Sequence, residues 1–347
     1  MSVPQFQHAV VVLGMHRSGT SALAGMLGLA GLAMPRTLLA PSSGNERGLW
    51  ESESVKSFNE DVLRDLATTW HGVEDISFSS LGRRKIGQVR KLAEEIVISE
   101  FGESVSFVVK DPRMCRLLSV WQPVFADLGA RASYPLILRN PLEVAQSLSQ
   151  RNGFDPEYGM LLWARYLLDA ELGTRGSPRV FVTYDQLLDD WQSVLGRIGS
   201  SLEIPIDPGS IDVGNVDDFL SSDLRHHRIA DEQVFIELAK IPQVSETYRV
   251  LLSWADGKSE SAADFETLDR IRAELNRTGS LVSDLVERAR LDRKRLASLK
   301  AQADETAVEL AKAKRSSDNL DAVRATLNRI EKRRILVRFR TVMIFTL

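Results

Sequence analysis

The 347-residue chain has a single cysteine, Cys115. This excludes an intramolecular disulfide and suits a reducing compartment. No stretch approaches the roughly 18 apolar residues of a membrane-spanning helix. The N-terminal segment has neither a basic leader nor a secretory apolar region, so the cytoplasm is the expected location. Positive charge is not in excess: the formal net charge is -3 and the isoelectric point about 6.0. That argues against bulk electrostatic binding to nucleic acid and requires any anion site to be a local basic cluster. Aromatic residues make up 7% of the chain against 44% for all hydrophobic residues, which predicts an aliphatic core. Proline is absent after Pro242.

One further absence is more specific. The segment VVVLGMHRSGTSAL, Val10 to Leu23, runs from an apolar strand through glycines into a helical pattern, the layout of a phosphate-binding loop. Counted from Gly14 it fits G-x-x-x-x-G through Gly19, but Thr20-Ser21 stands where a nucleotide-hydrolysing loop has Lys-Ser/Thr. Glycines let backbone N–H groups converge, and the following helix N-terminus adds partial positive charge, so such a loop accepts phosphate or sulfate oxygens. Arg17 supplies a permanent charge and a fork of donors, while Ser18, Thr20 and Ser21 add hydroxyls. The bland alternative is a strand-to-helix turn with Arg17 in solvent.

Short apolar strand patterns at Ala9–Leu13, Phe107–Lys110, Leu136–Arg139 and Val180–Thr183 alternate with helical patterns at about Thr20–Ala30, Ser52–Leu66, Arg83–Ser99, Pro141–Gln150 and Pro156–Leu172. The alternation predicts an α/β fold, P-loop-like and three-layered, around a central parallel sheet. Ligands bind such folds beyond the carboxyl ends of the strands, so residues immediately after each strand are site candidates. After about Ser259, Leu268, Leu275, Val282, Ala289, Leu296, Ala303 and Leu310 hold one heptad position, and Ile271, Leu285, Leu299 and Ala313 the other. This predicts a C-terminal α-helical coiled-coil extension and a homo-oligomer formed through it; a single helix packed on the domain is the alternative. The expected division is 1–258, 259–335 and a basic, apolar tail at 336–347 suited to anionic lipid or a partner.

GMHRSGTSAL resembles the 5′-phosphosulfate loop of sulfotransferases, particularly bacterial members with arginine in the loop. LILRNPLEVAQSL resembles that family's 3′-phosphate motif, with Arg139 ending a strand and Ser147 eight residues later on a helix. VVKDPRM and LRHHR also resemble segments of bacterial sulfotransferases, and the likeness covers about residues 8–230. It implies 3′-phosphoadenosine 5′-phosphosulfate (PAPS) as donor, no metal, and an acceptor hydroxyl, with a sugar or glycan favoured. Gly14, His16, Arg17, Ser18, Gly19, Thr20, Ser21, Arg139 and Ser147 would then hold the donor, joined by Arg225 and His226 of the basic cluster.

Sulfuryl transfer follows the logic of phosphoryl transfer: an in-line attack, cations on the growing charge, and a base for the hydroxyl proton. Glu51 is the first candidate base, ahead of Glu53 and Glu46, with His16 a weaker one. Lys110, ending a strand, would neutralise the sulfuryl or bridging oxygen, or instead pair with Asp111 or Glu51 and orient the site. The His226-His227 pair lacks a third ligand at metal-like spacing. Trp50, Phe58, Trp70, Phe154, Tyr158 and Trp163 offer acceptor-pocket walls or core, and none is assigned. Two rivals stand beside this reading. One is a metal-dependent kinase, suggested by FVVKD; the other is a coiled-coil scaffold whose nucleotide domain is catalytically silent.

Overall fold

A computed structural model describes residues 6–40, 50–212, 214, 216 and 231–344. Four strands, β1 (His8–Val12), β2 (Ser106–Lys110), β3 (Arg131–Leu138) and β4 (Arg179–Thr183), form one sheet in the order β2-β1-β3-β4. All pairings are parallel, with Val12 opposite Lys110 and Leu138 opposite Thr183. Parallel strands need crossovers, and here these are helical. The helices are α1 (Thr20–Leu29), α2 (Glu53–Asp65), α3 (Gly82–Phe101), α4 (Met114–Asp127), α5 (Pro141–Asn152), α6 (Pro156–Thr174), α7 (Tyr184–Asp189), α8 (Trp191–Leu202), α9 (Asp231–Leu238), α10 (Pro242–Ala255) and α11 (Ala262–Ile344).

The strands are buried on both faces, which explains their nearly unbroken apolar runs. Val10, Val12, Val108, Ile137 and Val182 pack against Leu23, Met26 and Leu27 of α1 and against Val194, Leu195 and Ile198 of α8. On the other face, Phe107 stacks on Phe101 of α3 with ring centroids 4.3 Å apart, and Phe181 meets Trp254 of α10 at 5.2 Å. The result is a three-layer α/β fold with a P-loop-like start. Strand β3 begins at Arg131, five residues before its apolar pattern: Arg131 and Ala132 lie at its less buried end, and the buried Ser133, Tyr134 and Pro135 break the apolar run in sequence. Helix α4 was not anticipated; Pro123 inside it and the non-helical Leu117 interrupt its pattern.

The chain divides into one unit ending at Ser283 and a second from Asp284 onward. In the first unit, Leu268, Ile271 and Leu275 of α11 are buried. In the second, Leu285, Leu296, Leu299 and Leu310 on the same helix are exposed. Among the described residues, no helix is long and apolar enough to cross a membrane.

Candidate active site

The register brings Gly14, Lys110, Arg139 and Tyr184 to the carboxyl edge of the sheet, each just after or at the end of its strand. At Gly14 (φ +153°) a Cβ would lie 2.7 Å from the Ile137 carbonyl oxygen. At Gly19 (φ +90°) it would collide with the Tyr184 ring. Both glycines are therefore required by space as well as by backbone conformation. Between them Arg17 holds a left-handed φ of 71°, a costly conformation for a non-glycine residue that concentrates at functional sites. Helix α1 begins without a side-chain cap among the described residues, so its first N–H groups remain available to a ligand. The Ser18 hydroxyl is fully buried and has no hydrogen-bond partner there. The Gly14 N–H points to Cys115 Sγ at 3.2 Å, and burial pushes that thiol up to about 12.

Two residues of one distant motif, Arg139 and Ser147, close on this loop. Arg17 Nε donates to Ser147 Oγ at 2.8 Å, across 130 residues. Arg139 Nη1 donates to the Arg17 carbonyl at 3.2 Å, its Nε to Glu143 Oε2 at 2.8 Å, and its guanidinium lies 4.9 Å from the Tyr184 ring centroid. Asn140 places these groups by accepting from the Leu142 N–H at 2.9 Å, with Pro141 opening α5. Burial, and then the nearby positive charge of Arg139, lower the Arg17 pKa. Two guanidiniums held this close favour an anion between or beside them.

Lys110 Nζ bonds Glu51 Oε1 at 2.6 Å and Ser21 Oγ at 3.0 Å. The side chains are 1% and 6% exposed, so this ion pair is withdrawn from water. Glu51 is pinned by backbone bonds from Leu39 N to its carbonyl (2.9 Å) and from Glu53 N to Thr37 O (2.8 Å). Ser52 caps α2 through the Val55 N–H, which leaves Glu51 just outside the helix and Glu53 exposed at its first position. Trp50, before Glu51, adopts a left-handed φ of 51° and packs on the α1–α8 core. Asp111 engages Arg113, which also bonds Glu60 at 2.7 Å, so Lys110 pairs with Glu51 and not with Asp111.

His16 is buried, and its Nε2 has no partner among the described residues. Its ring meets Trp70 edge-on at 4.7 Å and Tyr166 at 5.8 Å. Burial first, then Arg113, Arg151, Lys110 and Arg17, hold its pKa well below the ordinary histidine value. It is thus a neutral hydrogen-bonding group around neutral pH. Trp70 also contacts His71 and Phe154, and Phe154 meets Tyr158. Phe58 packs on Trp121, and Trp163 on Tyr248, in the core. Arg113, Arg151, Trp70 and Tyr184 were not assigned from sequence. Arg113 lay within VVKDPRM, a visible signal, whereas Arg151 carried none beyond its four-residue spacing from Ser147. Glu46, Arg225, His226 and His227 lie outside the described residues. Among the described residues, no three His, Cys, Asp or Glu side chains group as metal ligands.

No family model matches the chain, and no curated protein matches it. Solved structures similar to it include three sulfotransferases. The sulfotransferase domain from the curacin biosynthetic pathway is 15% identical, with a TM-score of 0.38, covering 68% of this chain and 98% of its own. The corresponding domain from the Synechococcus PCC 7002 olefin synthase is 17% identical, with a TM-score of 0.38, covering 79% and 97%. A mouse sulfotransferase complexed with PAP is 13% identical, with a TM-score of 0.35, covering 83% and 92%.

Proposed function

We propose that this chain is a sulfotransferase that moves a sulfuryl group from PAPS to an acceptor hydroxyl, with a sugar or glycan favoured as acceptor. One observation carries the reading. Arg17, Arg139 and Ser147 meet at the open N-terminus of α1, while the lysine beside the loop hydroxyl Ser21 comes from another strand and is held by Glu51. This is a cradle for an oxyanion pair with an acid–base pair at its edge.

In this reading the loop N–H groups, Ser18 and Arg17 hold the phosphosulfate, and Arg139 with Ser147 holds the 3′-phosphate. The acceptor oxygen attacks sulfur in line. A new S–O bond forms as the bond to the bridging oxygen of the 5′-phosphate breaks, and that oxygen keeps the electron pair. Glu51 takes the hydroxyl proton, and the Lys110 ammonium neutralises charge on the departing oxygen. The products are a sulfate monoester and adenosine 3′,5′-bisphosphate. His16, buried and held neutral by its cationic neighbours, is in this reading a hydrogen-bonding group between the donor loop and Trp70.

The test is calorimetry on four pairs: wild type and Arg139→Ala, each with adenosine 3′,5′-bisphosphate and adenosine 5′-monophosphate. A charge-assisted bond to the 3′-phosphate contributes about 1.5–3 kcal/mol, a preference of roughly 10- to 150-fold. Arg139→Ala should remove most of that preference and leave 5′-monophosphate binding nearly intact. A wild type that cannot distinguish the two nucleotides sinks the proposal, and metal-dependent turnover of ATP would put the kinase in its place.

A further inference from the structure

Arg151 has no place in the chemistry above, yet its charge reaches that site. It lies on α5 four residues after Ser147, which puts it on the same helix face about 6 Å further from Arg139. Its guanidinium carbon is 5.6 Å from the Trp70 ring centroid, and its Nε donates to Asn152 Oδ1 at 2.8 Å. Among the described residues it forms no ion pair, unlike Lys110, Arg113 and Arg139, which each have a carboxylate. Its positive charge acts on Arg17, Glu51 and Arg113, as well as on His16. Burial and the like charge of Arg17 lower its pKa, and Glu51 opposes them.

The surroundings separate this cation from the donor cradle. The cradle is built from backbone N–H groups, hydroxyls and two guanidiniums. Arg151 stands instead at the aromatic side, over Trp70, which is flanked by His16, His71 and Phe154. His16 is 8% exposed, and its unpartnered Nε2 belongs to the ring packed against Trp70. A half-buried indole, and an imidazole nitrogen and a guanidinium with no partner carboxylate among the described residues, suit an organic molecule carrying an oxyanion.

We infer that the acceptor carries an anionic substituent, a carboxylate, phosphate or sulfate, and that Arg151, held on the Trp70 face, binds it while Glu51 addresses the hydroxyl. This rests on the donor assignment above. Arg151 is then a specificity-determining residue: it selects acidic acceptors and anchors them at a fixed distance from the base. The cation–π contact and the Nε bond to Asn152 orient the guanidinium and leave its Nη groups for the ligand.

The experiment uses the full chain saturated with adenosine 3′,5′-bisphosphate, with acetate, methyl phosphate and methyl sulfate as probes and methanol as the neutral control. Binding is read at the Arg151 side-chain Nε–H by nitrogen-15 NMR, for the wild type and Arg151→Gln, with Arg151→Lys as the conservative variant. At least one anion should saturate and shift the Arg151 signal while methanol does not, and the three anions distinguish the substituents. Arg151→Gln should weaken that anion at least tenfold, followed through neighbouring Trp70 Nε1–H, and Arg151→Lys should restore part of the affinity. Nucleotide affinity should change less than twofold in both variants. Absence of saturable anion binding overturns the inference, as does a nucleotide affinity that falls with Arg151→Gln, which would place the residue in the donor cradle. Failure of the wild type to bind the nucleotide at all is a separate result, and it removes the underlying sulfotransferase reading first.

Discussion

Removing one member of the Lys110–Glu51 pair should destabilise the protein more than removing both. The two side chains are 1% and 6% exposed and 2.6 Å apart. In Glu51→Leu the ammonium keeps its bond to Ser21 Oγ and loses the Glu51 carboxylate. In Lys110→Met the carboxylate is the orphan. Each single change should cost about 3–5 kcal/mol, the usual cost of an uncompensated buried charge. The double variant has no charge left to strand, so it should return to within about 2 kcal/mol of wild type. Urea unfolding of all four proteins, followed by tryptophan fluorescence, closes a double-mutant cycle with an expected coupling of at least about 3 kcal/mol. Sulfuryl transfer should be absent in the double variant despite its restored stability, which separates the chemical role from the structural one. Single variants within about 1 kcal/mol of wild type would refute the reasoning, since the pair would then be open to water.

Arg17→Ala should lower the rate of transfer roughly 10²–10³-fold, the typical cost of losing one donor to developing charge; near-normal turnover in a steady-state assay would count against the loop's role. Truncation after Ser259 should lower thermal stability, because it deletes Leu268, Ile271 and Leu275, each buried in the first unit, and the Asn276 partner of buried Arg165. Truncation after Ser283 should leave the melting temperature nearly unchanged and lower the oligomeric mass by light scattering, as the exposed heptad leucines are proposed to pair between copies. An unchanged mass would refute that pairing. With its pKa pushed up to about 12, the Cys115 thiol should resist iodoacetamide at pH 8 in the native protein and react once urea unfolds it. Alkylation at equal rates in both states would show that the loop floor is open.

Much of the glycine loop and its surroundings was legible in the chain itself. Gly14 and Gly19 announce a loop between a strand and a helix, and Arg139 with Ser147 is a local spacing across a strand end and two helical turns. Both signals are short-range, and backbone geometry carries them over without reference to the rest of the fold. The long α11 pattern was legible for the same reason. Its burial was not: identical heptad leucines are covered before Ser283 and exposed beyond it.

Tertiary structure alone decided the partners. Strand order β2-β1-β3-β4 brings Lys110 beside the loop, 59 residues from Glu51, and lets Arg17 reach Ser147 across 130. Sequence ranked Glu51 ahead of Glu53, but only the fold separates their surroundings: Ser52 caps α2, Glu51 before it is buried, and Glu53 after it is exposed. Asp111, next to Lys110 in the chain, is taken by Arg113. The assembly of Trp70, His16 and Arg151 from three separate segments has no local signature, because periodicity reports which face a residue occupies and not what faces it.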